Sequence, residues 1–209
     1  MKFSIFCCTV LLSSLLQGIF GFAIREKRQY QLNQKEFVDN LNTVRRTLAK
    51  AGNISNTWKL EWSQELVDKA YSLKDQHCLA LTPAYNYRYF YHEGNRDAEE
   101  YERGWAAWFE KHAKDVEAST KAFDSLAGRT AYFFERINPL QSKIGCVPFP
   151  CQFDIEMKEH YPVFTYHLEY KYLCLVGPYG QFPRGEVVGE PGSRCGETSH
   201  NEDGLCVEN

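Results

Sequence analysis

The chain has 209 residues, 44% of them hydrophobic and 15% aromatic, with 24 basic against 27 acidic side chains and a net charge of −3. That length suits one domain with a sizeable core and leaves little room for a second. A slightly acidic, evenly mixed charge excludes the basic footprint of a nucleic-acid binder.

At the N-terminus Lys2 precedes an apolar run from Phe3 to Leu16, and Gly21 and Ala23 stand at the small-residue spacing of a signal-peptidase site. Residues 1–23 therefore read as a secretory signal peptide cleaved near Ala23. Ser13, Ser14, Gln17 and Gly18 interrupt the apolar pattern, and no later segment holds the roughly 18 apolar residues of a membrane span. Cleavage leaves 23 basic and 27 acidic side chains, a net charge of −4. It also removes Cys7 and Cys8 and leaves Cys78, Cys146, Cys151, Cys174, Cys195 and Cys206. An even set in a chain bound for an oxidising compartment implies three disulfides, with the pairing open. No Cys-x-x-Cys pair occurs, which disfavours a cysteine-held metal. Asn53-Ile54-Ser55 is an N-glycosylation sequon.

After a polar lead over residues 24–34, Phe37, Leu41, Val44 and Leu48 form the stripe of an amphipathic helix that ends at Ala51-Gly52-Asn53. Ser63 is the expected N-cap of a second helix, with Glu65 in its first turn and Leu66, Ala70 and Leu73 carrying it towards Cys78. Pro83 breaks the chain, and the stretch from Tyr85 to His92 is a short strand or an ordered loop. A third helix places Ala98, Tyr101, Trp105, Trp108 and His112 on one face and Glu99, Glu100, Glu102 and Arg103 on the other. Residues 142–149, SKIGCVPF, read as a strand ended by Pro148. From Val163 to Val176 the period is two: Phe164, Tyr166, Leu168, Tyr170, Tyr172, Cys174 and Val176 point one way, and Thr165, His167, Glu169 and Lys171 the other. Beyond Gly177 the chain is rich in Gly and Pro, so Cys195 and Cys206 would staple a tail too polar to order itself. Helices early and strands late predict an α+β fold with a small antiparallel sheet covered by helices.

Several stretches together resemble one family: FVDNLNTVRRTLAKAG, LEWSQELVDKAYSLKDQHC, GWAAWFEKH, INPLQSKIGC, YLCLVGPYGQFPRGEVVG, and the late cysteine in GLC. In that order they look like a divergent, nematode-type member of the CAP superfamily, the secreted cysteine-rich or SCP/TAPS proteins that include venom allergens and pathogenesis-related proteins. The resemblance implies a three-layer α-β-α sandwich over residues 35–185, with 186–209 as a cysteine-containing extension. It also implies the pairing Cys78–Cys146, Cys151–Cys174 and Cys195–Cys206.

CAP proteins typically carry a shallow cleft with two histidines and two acidic residues that in some members holds a divalent metal. Counted back from Gly145-Cys146, one histidine position falls on Tyr132, and a following Thr-Gln pair falls on Phe134-Glu135. An acid expected after Trp108 falls on Lys111, beside Glu110; the earlier histidine falls near Leu81 or Thr82, and the second acid on Tyr89 or a neighbour. The first-helix His-Asn pair is Leu41-Asn42, while Arg45 is kept. Phenols and an ammonium are poor ligands for a divalent ion, so no metal and no cofactor are expected at this cleft.

Elsewhere, His167 and Glu169 share a strand face, and Glu156 with His160 would share one if helical, but two ligands are too few for a protein-held metal. His77, His92, His112 and His200 have no spaced partner. No Gly-x-Ser-x-Gly elbow is present, and the cysteines are committed to bridges. The expectation is a secreted extracellular protein that is not an enzyme and binds a sterol, another lipid or an extracellular protein. Tyr87, Tyr89, Tyr91, Tyr132, Phe133 and Phe134 either line an aromatic cleft or pack the core. The rival reading is a metal-dependent effector or hydrolase with a relocated site built from Glu110, His112 and Glu135.

Overall fold

The structure is a computed structural model that describes residues 32–112, 128–157, 164–181 and 187–209. Residues 1–23, read above as a signal peptide, most of the polar lead, and His160 lie outside the described residues. The chain divides after Phe37 into a short N-terminal unit and a main unit, Val38–Asn209. In the first unit Asn33 opens helix α1 (Gln34–Gly52): its side chain accepts from the Glu36 N–H at 3.3 Å and donates to the Glu36 carboxylate at 3.1 Å. This reciprocal cap satisfies donors that no helical carbonyl reaches.

The stripe predicted for α1 is its buried face only at the start: Phe37 is buried and Leu41 half-buried. Val44 and Leu48 are exposed, at 48% and 39%, while Asn42, Arg45 and Ala49 are buried. The reason is what α1 packs against: carbonyl-rich loop backbone. Asn42 accepts from the Leu60 N–H at 2.7 Å and donates to the Leu60 carbonyl at 2.9 Å. Arg45 donates to the carbonyls of Trp58 (2.9 and 2.7 Å), Arg136 (2.9 Å), Gln141 (2.8 Å) and Pro139 (3.3 Å). Burial pulls its pKa down to about 9, which leaves the guanidinium charged at neutral pH.

Strand β1 (Glu61–Trp62) runs parallel to the start of β3 (Lys143–Met157), with Glu61 opposite Lys143 and Trp62 opposite Ile144. Helix α2 (Gln64–Tyr71) follows at once, and Ser63 caps it as expected, its side chain accepting from the Leu66 N–H. The helix stops at Tyr71 rather than running to Cys78; turns and a single 3-10 turn (Cys78–Ala80) complete the path. The start of α2 sits directly on Gly145, where a β-carbon would lie 2.6 Å from the Val67 nitrogen and 2.8 Å from the Ser63 oxygen. Only glycine allows so close an approach.

The tyrosine-rich stretch is a strand, β2 (Arg88–Gly94), followed by α3 (Arg96–His112), a short helix α4 (Phe134–Ile137), β3 and β4 (Phe164–Gly177). The sheet order is β1-β3-β4-β2, antiparallel except for the β1/β3 edge. Helices α2 and α3 cover one face over a core that contains Leu66, Ala70, Tyr89, Tyr91, Leu173 and Leu175. The segment around α4 lies over the other, where the Arg136 guanidinium sits 4.9 Å above the Phe90 ring and Arg45 ties the same segment to α1. The result is the α-β-α layering expected.

Two strand expectations are corrected. β3 does not end at Pro148; it continues to Met157, with a register shift between Pro148 and Cys151. Beyond Ile144 no described strand pairs with the outer side of β3, so Pro148 and Pro150 lack a donor only on a ladder that tolerates a bulge there. The strict alternation of β4 fails at the same level: Leu168 and Tyr170 line the α2/α3 core, and so do Leu173 and Leu175, because the bulge changes which residues face it. The disulfides also differ from the pairing the resemblance implied. They join Cys78 to Cys151, Cys146 to Cys174 and Cys195 to Cys206. Cys146 and Cys174 are directly opposed on neighbouring strands, with Cα atoms 4.0 Å apart, and Cys151 shares with Val147 and Phe149 the face of β3 that packs on the core containing Cys78.

The C-terminal segment is ordered by what it borrows from the rest of the main unit. β5 (Ser199–Glu202) and β6 (Leu205–Glu208) form a hairpin in which Leu205 and Cys206 are fully buried. The Cys206 N–H donates to the Thr57 carbonyl at 2.8 Å and the Lys59 N–H to the Cys206 carbonyl at 2.9 Å. Asp203 pairs with Lys50 and Arg46, and Glu202 with Lys59.

Arg45→Met should cost about 3 to 5 kcal/mol in urea unfolding, because it takes the charged donor from the buried carbonyls of Trp58, Arg136 and Gln141. Non-reducing peptide mapping should return a Cys78–Cys151 peptide pair and no Cys78–Cys146 pair.

Candidate functional site

The residues that the sequence put forward for a cleft divide between two faces of the sheet. On the α2/α3 side, Tyr132 enters from the segment before α4 with a backbone φ of 53°, a left-handed conformation uncommon for a bulky residue. Its N–H donates to the Thr130 hydroxyl at 3.1 Å. Its ring stacks on Trp105 (centroids 6.2 Å, planes 19° apart) and meets the Tyr101 ring edge-on at 5.1 Å. The Tyr132 and Tyr101 hydroxyls are 3.2 Å apart.

Tyr89 and Leu81 come together: the Tyr89 hydroxyl donates to the Leu81 carbonyl at 2.9 Å, and both residues are buried. Tyr91 donates to the Cys78 carbonyl at 2.8 Å and Tyr170 to the Glu102 carboxylate at 3.2 Å. These phenols form one neighbourhood. Burial raises the pKa of Tyr89 to about 12, and burial together with neighbouring phenols raises those of Tyr91 and Tyr132 as well. All three are neutral hydrogen-bonding groups at physiological pH, without the anionic oxygen that a divalent cation needs.

Glu135 stands on the other face. It is fully buried and accepts from Arg88 Nε at 2.9 Å, from Arg88 Nη2 at 2.8 Å and from the Ala131 N–H at 2.8 Å. Arg88 also donates to the carbonyls of Arg129 (2.8 Å) and Gly180 (3.3 Å). Burial pushes the Glu135 carboxyl up against the opposing pull of Arg88. An ion pair satisfied in this way joins α4 to β2 and projects nothing towards Tyr132. The structure therefore does not bring Glu135 into one site with the other candidates. Lys111 is exposed, and the side chains of Glu110 and His112 lie outside the described residues.

Two participants escaped the sequence reading. Glu102, assigned to the solvent face of α3, has a side chain only 13% exposed and pairs with Arg136 at 3.1 Å. Burial raises its pKa against the pull of that arginine. Its spacing of three from Trp105 and its place next to Tyr101 put it at the border of the apolar face, and that was the available signal. Tyr170 was read only as one member of an alternating strand, whereas its hydroxyl bonds Glu102 below the aromatic cluster.

The aromatic residues proposed either for a cleft or for the core divide as follows. Tyr87, Tyr89 and Tyr91 are buried in the core. Tyr132, Phe133 and Phe134 are half-buried. Tyr91 packs on Phe149, Phe153 and Tyr170 with ring centroids 5.2 to 6.3 Å apart.

Of the histidines, His167 and Glu169 share the exposed face of β4 as expected, and His167 meets Asp154 of β3 at 2.8 Å. Glu156 lies in β3 rather than in a helix. Among the described residues no three His, Cys, Asp or Glu side chains converge as a metal set would. His77 caps the 3-10 turn by accepting from the Leu79 N–H, and His200 contacts Asn209. His92 is mostly buried at the end of β2, where desolvation and Arg136 lower its pKa to about 4. No helix of the described residues is long and apolar enough to cross a membrane.

The fold and the cluster define a small disulfide-bonded α-β-α sandwich with a phenol-lined centre under α3. No protein-family model matches the chain, and no curated protein matches it. Among solved structures it is similar to a hookworm platelet inhibitor, at 16% identity over 87% of this chain and 94% of the other, with a TM-score of 0.49. It is likewise similar to NaASP2 solved with Zn2+, at 16% identity over 83% of this chain and 94% of that one, with a TM-score of 0.41. Similarity to Na-ASP-1 covers 84% of this chain but 45% of that protein, at 16% identity and a TM-score of 0.40.

The unfolded imidazole of His92 titrates near 6.5 and the native one near 4, so the unfolded chain takes up this proton first as pH falls. Stability present above pH 6.5 should therefore decline by roughly 2 to 3 kcal/mol on going to pH 4. His92→Phe, followed by urea unfolding across that range, should flatten this part of the profile.

Proposed function

We propose that the chain is a divergent, secreted CAP-superfamily protein that works by binding an extracellular protein, without catalysis and without a metal at the standard cleft. The observation that carries this reading is Tyr132. At the place where the resemblance expects a histidine, a neutral phenol bonds Tyr101 and stacks on Trp105. Tyr89, at another expected ligand position, gives its hydroxyl to the Leu81 carbonyl. A centre of this kind offers hydrogen bonds to itself and no charge to a cation or to a transition state.

The three disulfides support a life in an oxidising compartment. Protein recognition is favoured over a sterol or another lipid because Tyr87, Tyr89 and Tyr91, which would have to line an apolar pocket, are spent on the core. The relocated hydrolase reading loses one of its two carboxylates, since Glu135 is bound by Arg88.

Expressed with its own N-terminus in a eukaryotic secretory host, the protein should reach the medium with a new N-terminus near Ile24. After exposure to zinc and dialysis it should retain only substoichiometric metal, and cholesterol should not bind saturably. One equivalent of zinc, or one of cholesterol, would overturn the protein-binding reading. Retention in the cytosol with free thiols would overturn secretion.

A further inference from the structure

The Asn53 sequon meets the C-terminal segment edge to edge. Asn53 follows the end of α1 with a φ of 49° and is exposed. Ser55, whose hydroxyl completes the sequon, is fully buried. Its hydroxyl donates to the Val187 carbonyl at 2.7 Å, and its N–H donates to the same oxygen at 2.8 Å. The Gly189 N–H donates to the Asn53 carbonyl at 2.7 Å, Ile54 and Val188 form an antiparallel bridge, and the Arg194 N–H donates to the Ser55 carbonyl at 3.0 Å. Gly189 lies over the serine, since a β-carbon there would come within 3.3 Å of Ser55 Cβ. All three sequon residues are thus paired with residues 187–194, and the Cys195–Cys206 bridge holds that strip in place.

Glycan transfer to an asparagine needs the hydroxyl two residues on as a recognition group, on chain that can bend into the transferase. We infer that Asn53 is an acceptor only while residues 187–194 are undocked, so that closure of the C-terminal segment ends the interval in which the site can be modified. In the reaction Asn53 Nδ2 attacks the anomeric carbon of a lipid-diphosphate oligosaccharide. The new N–C bond replaces the sugar–phosphate C–O bond, the lipid diphosphate leaves, and the nitrogen gives up one proton. Because the acceptor amide is at the surface and only the recognition hydroxyl is covered, a glycan attached early stays outside the closed fold. In the cell this ordering rests on the secretory reading above; the chemistry at the sequon does not.

The test is therefore made in solution. Full-length protein, made without glycan and oxidised, is presented to purified oligosaccharyltransferase and lipid-linked oligosaccharide, either folded or reduced and unfolded, and conversion is followed by mass. The unfolded chain should be modified at least roughly tenfold faster, as expected for a site exposed only by local opening. Ser55→Ala should abolish the conversion of the unfolded chain, which assigns the added mass to Asn53, the sole sequon of the sequence. Cys195→Ser/Cys206→Ser, in its folded form, should recover most of the difference. Should that variant not fold, hydrogen exchange on the folded wild type gives the same answer: the Ser55, Gly189 and Arg194 amides should open together at the frequency that sets its conversion. Equal conversion of folded and unfolded chain, no conversion of either, or independent opening of those amides would overturn the inference.

Discussion

One guanidinium organises this molecule. Arg45 reaches out of α1 into a ring of carbonyls from Trp58, from Arg136 in the short helix α4, and from Pro139 and Gln141 just beyond it. Loop and helix-end chain that crosses an interior has to pair its oxygens, and here one planar, charged fork does so for Trp58 and for residues 136–141 at once. The consequences follow the chain. With Trp58 and Gln141 held to one group, Glu61 comes beside Ser142 and Lys143 and a short parallel pair forms. Ser63 then begins α2 on top of Gly145, and α2 carries Leu66 and Ala70 onto the sheet.

This dependence explains where the amino-acid sequence could be read and where it could not. Helix α2 was legible at its start because Ser63 and Glu65 are local signals, and β4 was legible because its apolar and polar residues alternate, whereas the aromatic run of β2 left strand and loop open. Helix α1 was legible as a helix but not in its orientation. Its apolar stripe points outward at Val44 and Leu48, and the buried face is marked by an arginine and an asparagine, residues that pattern arguments assign to solvent. Nothing local announces that a polar pair will find carbonyls lying 13 to 96 residues further along the chain.

The bulge in β3 hid for a related reason. A proline usually ends a strand, and only the absence of a described neighbour on the outer side of β3 lets Pro148 and Pro150 remain in one. Alternation along β3 puts Cys151 on the face of Val147 and Phe149, with Cys78, while the pairing of Cys146 with Cys174 depends on a strand register that no local signal gives. The Tyr132 position was legible by counting back from Gly145-Cys146. What the count could not supply was the company Tyr132 keeps: Tyr101 and Trp105 arrive from a different helix, and Glu102, charged and nominally on the wrong side, closes the group from below through Tyr170.

The crosslink between Cys146 and Cys174 ties two residues that face each other across the middle of the sheet. Each belongs to a long strand, and the stretches on either side differ in character: one is sandwiched between helical layers, the other is a ribbon beyond the end of β2. A pull on the ribbon would meet two covalent ties in turn, the Cys78–Cys151 bridge at its root and behind it the bridge across the middle of the sheet. Because Leu168 and Tyr170 also pack into the α2/α3 core, load on the arm passes into the layered half of the molecule through side chains as well as through sulfur.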